Sequence, residues 1–355
     1  MNYKEQLSLK QEKQVRELVA SFPVFAKKYF DHLKSAEMSS ATILHYAYDV
    51  QRFFNFLKSS AGFRNMDMKA KTAQEILGNL RPEDFDEYMA SFDEKPAKKG
   101  AEPERYSAQY KNAKAVSLRG FVRYYYTIGE LDEDVSRFIT LARAMEKPAK
   151  AMNRDEVSKI LSAVFETEAL SGKALENKEL TMKRDYALMM LLFGTGIRVA
   201  ELAGIDISDI DFYEASIDVG RKGKGTDKND VVYFGPEVEE ALRDYIDKGR
   251  PALLAGRSTD ALFISLQHKR MSVRNIQMMT KAYGEKAGIN HHTNPHAFRK
   301  TYGTSLYQST GDIYLVATAL NHSSVETTAR HYIERNKEDR RKAASKASDL
   351  FKDED

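Results

Sequence analysis

Only two short stretches of this chain alternate apolar and polar residues as a strand does, residues 215–219 and 230–234. Between them lies Gly220-Arg221-Lys222-Gly223-Lys224-Gly225-Thr226-Asp227-Lys228-Asn229, a glycine-rich turn with four basic residues. The two stretches therefore pair as a β-hairpin. Almost every other patterned segment repeats its apolar residues at helical spacing. The chain is thus expected to be mainly α with a small β-hairpin or sheet, and its architecture must rest on helix packing.

The helical segments fall into two regions. Residues 1–20 read as a polar helical lead-in, and an aromatic-rich segment follows from Pro23. Ile43, Tyr46, Val50, Phe53, Phe54 and Leu57 form one apolar face of a helix over about 40–59. Pro82 opens another helix over 83–92, and residues 93–105 read as a polar loop with a basic centre. A longer helix over 107–128 carries Leu118, Phe121, Val122 and Tyr125 on one side and ends at Gly129. Residues 1–145 thus form a helical domain, and 146–153 have the composition of a linker.

The second domain is expected over 154–335. Asn153 or Asp155 starts its first helix, and a loop follows at about 168–180. Next come a buried helix at 185–193, the turn Gly194-Thr195-Gly196 and a helix beginning at Ile197. Beyond the hairpin, helices are expected at 236–249, 272–287, 295–308, 312–320 and 324–335. Residues 336–355 form a charged tail with a short helix around 342–351. A length of 355 residues is ample for two separate cores.

The net charge of +3 does not by itself demand a nucleic-acid partner, because it conceals local clustering. With no cysteine, structural disulfides, thiolate catalysis and cysteine zinc sites are excluded. The beginning of the chain lacks the apolar run of a secretory leader, and no stretch reaches membrane-spanning length. A cytoplasmic protein without membrane partners is the expectation.

Chemistry concentrates near the C-terminal end. In Asn294-Pro295-His296-Ala297-Phe298-Arg299-Lys300-Thr301, Asn294 suits a helix cap and Pro295 the first helical position. His296 then lies where backbone N–H groups are unpaired, and Arg299 shares its face. An imidazole and a guanidinium at a helix start suit a phosphate or another oxyanion. Arg198, in the first turn after Gly194-Thr195-Gly196, reads either as a second anion clamp or as a surface arginine. Lys222 at the hairpin tip is either a solvated turn residue or a flexible arm acting as general acid, and Lys224 is its rival. His322 follows a helix ending near Leu320 and could serve only as its cap, while Tyr332 could be a core aromatic.

Their joint order adds what spacing alone does not supply. Gly194-Thr195-Gly196-Ile197-Arg198-Val199-Ala200-Glu201-Leu202 resembles the first arginine motif of the tyrosine recombinase (phage-integrase) family. Lys222-Gly223 resembles its hairpin lysine, and Pro295-His296-Ala297-Phe298-Arg299-Lys300-Thr301 its second box. Leu320-Asn321-His322-Ser323-Ser324, with Thr327-Thr328 and Tyr332, resembles its last box. Ser40, Thr42, Tyr46, Asp49, Val50, Phe53, Phe56 and Leu57 match its core-binding domain. The resemblance covers nearly the whole chain and points to Xer-type members, in length the single-recombinase kind of Gram-positive bacteria. Three positions depart from the pattern: Asn321 replaces a usual glycine, Lys300 replaces a frequent histidine, and His331 stands where the tyrosine commonly lies, one residue before Tyr332.

The resemblance implies a helical, SAM-like core-binding domain followed by a mixed α/β catalytic domain. It implies Tyr332 as nucleophile, Arg198, Arg299 and His322 around the scissile phosphate, His296 as base and Lys222 as general acid, with no cofactor and no metal. The implied partner is a double-stranded DNA recombination site, bound by a homotetramer on two sites. The expected role is resolution of chromosome dimers at cell division. Integration of a mobile element, a type IB topoisomerase and a catalytically silent DNA-binding protein are the alternatives. Lys111, Lys114, Arg119, Arg123 and Lys224 are the candidates for DNA contact. The charged tail is a candidate for contact between protomers.

Overall fold

The structure is a computed structural model that describes residues 3–60, 62–64, 66–94, 104–143, 150–219, 231–321, 325–326 and 328. The chain divides into two compact units, one containing the described residues up to 143 and the other those from 150 onward.

Every regular element among the described residues of the first unit is helical. Its elements are α1 (Tyr3–Ala20), α2 (Lys27–Ser35), α3 (Ser40–Ser59), α4 (Ala73–Ile76), α5 (Pro82–Ala90) and α6 (Ala108–Thr127). Local chemistry fixes the boundaries. Ser39 and Ser107 cap α3 and α6 by accepting the N–H groups of Thr42 and Tyr110, each at 3.2 Å. Pro82 occupies the first turn of α5, and Gly129 stops the chain after α6 with φ of 75°. α3 packs against α1 on one side and α6 on the other. The core between them is rich in aromatic rings. Phe25 meets Tyr125 edge-on at 5.0 Å, Phe53 meets Tyr88 at 5.1 Å, and Tyr29 meets Phe121 at 5.3 Å. The buried Tyr125 hydroxyl donates to the carbonyl of Phe25 at 2.9 Å, so that oxygen is satisfied.

The second unit contains α7 (Arg154–Ala163), α8 (Gly172–Thr195), α9 (Val199–Gly204), β1 (Ile210–Asp211), β2 (Ser216–Asp218), β3 (Val231–Tyr233), α10 (Pro236–Asp244), α11 (Arg250–Leu254), α12 (Val273–Lys286), α13 (Pro295–Thr310) and α14 (Ile313–Ala319). The expected hairpin strands are present and antiparallel, with Ile217 opposite Val232. A third strand, β1, pairs with the outer side of β2 through Ile210 and Ile217. It is two residues long, too short for any alternation to show in the sequence. The hairpin tip that holds Lys222 and Lys224 lies outside the described residues.

α8 is the centre of this unit. Ala187, Leu188, Met189, Leu191 and Leu192 are wholly buried, with α10 and α13 packed against the helix. It begins at Gly172, so most of the stretch expected as a loop is helical. Alanine, leucine, glutamate and lysine there are good helix formers, and their charge marks a solvated face rather than a loop. Its end also differs: Gly194 and Thr195 complete the helix, and only Gly196 turns out of it. Beyond α10 the helix continues through one π turn, Tyr245–Gly249, into α11. Pro251 lacks the N–H that would close the ordinary ladder there. Residues 150–153 already belong to this unit. Met152 is buried, and its N–H donates to Thr301 Oγ1 at 2.9 Å.

Candidate active site

α13 starts as the sequence dictates. Asn294 Oδ1 accepts the N–H of Ala297 at 2.9 Å, and Pro295 fills the first helical position. His296 is exposed in that first turn, while Arg299, three residues on, is 6% exposed. The buried guanidinium reaches backbone rather than solvent. Nη1 donates to the carbonyl of Gly196 at 2.6 Å, and Nη2 donates to the carbonyl of Leu320.

Arg198 approaches the same place from another element. It is the N-cap of α9 rather than a first-turn residue. Its backbone N–H donates to Glu201 Oε2 at 3.0 Å and its Nη1 to Glu201 Oε1 at 3.1 Å. Its Nη2 donates to the carbonyl of Asn321 at 2.9 Å. Two guanidiniums thus hold successive carbonyls, Leu320 and Asn321, of the turn that leads into His322. Glu201 aims Arg198 from inside the protein and leaves that side chain about 37% exposed. Sequence reasoning did not single out Glu201, although its place three residues after the cap is a recognisable pattern.

Gly196 makes this convergence possible. Its φ is +61°, and a Cβ there would lie 2.6 Å from Tyr302 Cδ1 and 2.9 Å from Leu320 Cδ2. Asn321 is also left-handed, with φ of +50°. That conformation accounts for the usual glycine of the motif, and asparagine is among the few side chains that tolerate it. Lys300, the second departure, is buried within α13. Burial pushes the phenol of half-buried Tyr302 above its ordinary range, and its ring packs against the Gly196 turn. Tyr302 is a packing residue of the site.

The structure therefore brings Arg198 and Arg299 together at the end of α14, and His296 stands three residues before Arg299 in the first turn of α13. His322, Tyr332, Lys222 and Lys224 lie outside the described residues, as do the charged tail and most of the helix expected at 324–335. Of that helix, Thr328 is described and fully buried.

The cations expected to meet DNA have unequal surroundings. Lys111 is ion-paired with Asp93, and Lys114 with the buried Asp49. Arg119 donates to the carbonyl of Ile139 and is partly buried. Arg123 is exposed. Three of the four thus hold the first unit together, and their sequence positions gave no sign of those partners, which lie 18 to 65 residues away.

Residues 148–339 match the model of the phage integrase family. Among curated relatives, a protein named tyrosine recombinase XerD from Mycobacterium tuberculosis is 28% identical over 302 residues, 84% of this chain and 89% of that one. Another of that name, from Staphylococcus epidermidis, is 31% identical over 215 residues, covering 57% of this chain and 72% of that one. A solved structure of XerH site-specific recombinase bound to a palindromic difH substrate, after cleavage, shares the fold. Its TM-score is 0.59 at 20% identity, covering 88% of this chain and 81% of that one. No described helix is long and apolar enough to cross a membrane.

Proposed function

Because this chain belongs to the phage integrase family, a family of site-specific DNA recombinases, we propose that it cuts and rejoins duplex DNA through a 3′-phosphotyrosine at Tyr332. The observation that carries the reading is the pair of arginines fixed on the turn before His322, Arg198 at Asn321 and Arg299 at Leu320. Rigid guanidiniums at that position suit the non-bridging oxygens of a phosphodiester, whose charge they stabilise as the phosphorus becomes pentacoordinate. Tyr332 attacks the phosphorus, and the bond to the 5′-oxygen breaks. A phenol is a weak nucleophile near neutral pH, so His296 takes its proton directly or by relay. Lys222, or its neighbour Lys224, protonates the departing 5′-oxygen. His322 adds a hydrogen bond to the phosphoryl oxygens. The phosphotyrosine keeps the energy of the broken ester, so a partner strand's 5′-hydroxyl can religate without an external energy source.

One such exchange between two duplexes gives a Holliday junction, and a second resolves it. The assembly is a homotetramer on two sites, the first unit supplies DNA contacts, and the charged tail joins protomers. The setting is the cytoplasm, where the reaction resolves chromosome dimers before cell division.

The test is a suicide duplex nicked beside the cleavage position, built on a site selected by the protein from random DNA. Wild type should form a covalent adduct whose peptide maps to Tyr332, and Tyr332→Phe should form none. An adduct that survives Tyr332→Phe moves the nucleophile elsewhere. Binding without any adduct makes the chain a DNA-binding protein only. Relaxation of supercoils without strand exchange makes it a topoisomerase.

A further inference from the structure

A polar groove of about 350 Å³ runs between α3 and α6, lined by Tyr48, Asp49, Gln51, Arg52 and Asn55 from α3 and by Tyr110 and Lys114 from α6. Lys114 is neutralised there by Asp49. Arg52 is exposed and has no acidic partner among the described residues, so it is the uncompensated cation of the groove.

Its guanidinium is nevertheless held in place. Nη1 donates to the Tyr110 hydroxyl at 3.0 Å, and the group lies 5.3 Å from the centre of the Phe92 ring. Tyr110 is itself fixed, stacked on Tyr106 at 4.3 Å with 11° between the rings. One donor of five is engaged, and the rest of the planar fork faces a groove. Tyr48, Gln51, Arg52 and Asn55 follow one another at three- and four-residue spacing or adjacency, so they share one face of the helix.

A guanidinium held in one plane by aromatic neighbours keeps its donors in a fixed fork, which fits a coplanar pair of acceptors on a phosphate or on a base edge. Two amides flank it, and amide and guanidinium are the groups that read adenine and guanine edges in the major groove. An α-helix with side chains is about 10–12 Å across, close to the width of that groove. We propose that Arg52 is a specificity-determining residue that reads one guanine of each DNA half-site, donating to O6 and N7, with Gln51 and Asn55 facing the adjacent bases.

The inference rests on the DNA reading given above. It is tested with full-length wild type, Arg52→Ala and Arg52→Lys, each used to select from duplexes carrying a random half-site. Affinities for the selected duplex and for single-base variants are then measured over a salt series. Wild type should fix a guanine at one position. Arg52→Ala should lose that preference alone, and its affinity for the guanine duplex should fall about 5- to 150-fold. Arg52→Lys keeps the charge and should lose the same preference. If Arg52→Ala weakens every duplex equally and flattens the salt dependence by about one unit, Arg52 is a phosphate contact and the proposal is overturned. Unchanged selection and affinity overturn it too. A wild type that binds DNA without selecting any sequence overturns the half-site reading itself, and this inference with it.

Discussion

The two units bury different material. Among described residues the first buries one charged side chain, Asp49, and its core interleaves many aromatic rings with aliphatic side chains. The second packs aliphatic side chains around α8 and also buries Arg184, Asp185, Arg250, Arg299 and Lys300. Its arginines reach backbone. Arg184 donates to the carbonyl of Ile264 at 2.9 Å, and Arg250 to that of Ala261 at 3.1 Å. Regular helices satisfy most of their own carbonyls, so the first unit calls on such donors less, as with Arg119 at the carbonyl of Ile139. The second is threaded with turns that do not, and long cationic side chains supply the missing donors. Arg299 is one of these structural arginines placed where a phosphate can also use it.

If that contrast is right, Phe53→Ala should be the most damaging change. It empties a wholly buried ring site and should cost about 3–5 kcal/mol, read as an earlier denaturant transition of the first unit only. Arg299→Ala should come next. It leaves the carbonyls of Gly196 and Leu320 without that donor, costs about 2–4 kcal/mol in the second unit, and removes cleavage altogether. If melting is unchanged, Arg299 is not a structural arginine.

A smaller effect sharpens the buried network. Lys178 donates to the Tyr283 hydroxyl at 2.6 Å, and that hydroxyl donates to Asp185 at 2.7 Å. Burial pushes the Lys178 amine down from 10.5 to about 8. A depressed lysine sheds its proton first in the folded state, so the unfolded chain binds more protons between those values and stability rises with pH. Tyr283, held above the ordinary phenol range by burial, opposes this above about pH 10. Lys178→Met should therefore erase a gain of about 1 kcal/mol between pH 8 and 10, after allowing for its half-exposed position. Chemical denaturation of both proteins across that range reads the difference. The smallest effect belongs to Asn321→Gly. Glycine adopts φ of +50° freely but loosens the unfolded chain, so stability should shift by less than about 1 kcal/mol, with cleavage intact.

By itself, the sequence determined what local rules govern. Ser107, Asn153 and Asn294 marked helix starts because capping needs only a side chain two or three residues from an unpaired N–H. The strands of the hairpin were legible for the same reason, and so was the ordered set of motifs with Arg198, His296 and Arg299. What escaped was non-local. The length of α8 was hidden because a solvated helix face and a loop share a composition, and β1 exists only through pairing with β2. The assignment of Lys111, Lys114 and Arg119 to internal partners, and the availability of Arg52, depended on residues brought near by packing. Only the tertiary structure could decide that Arg198 and Arg299, 101 positions apart in the numbering, hold adjacent carbonyls of one turn. A hydrogen bond acts over about 3 Å, whatever length of chain separates its ends.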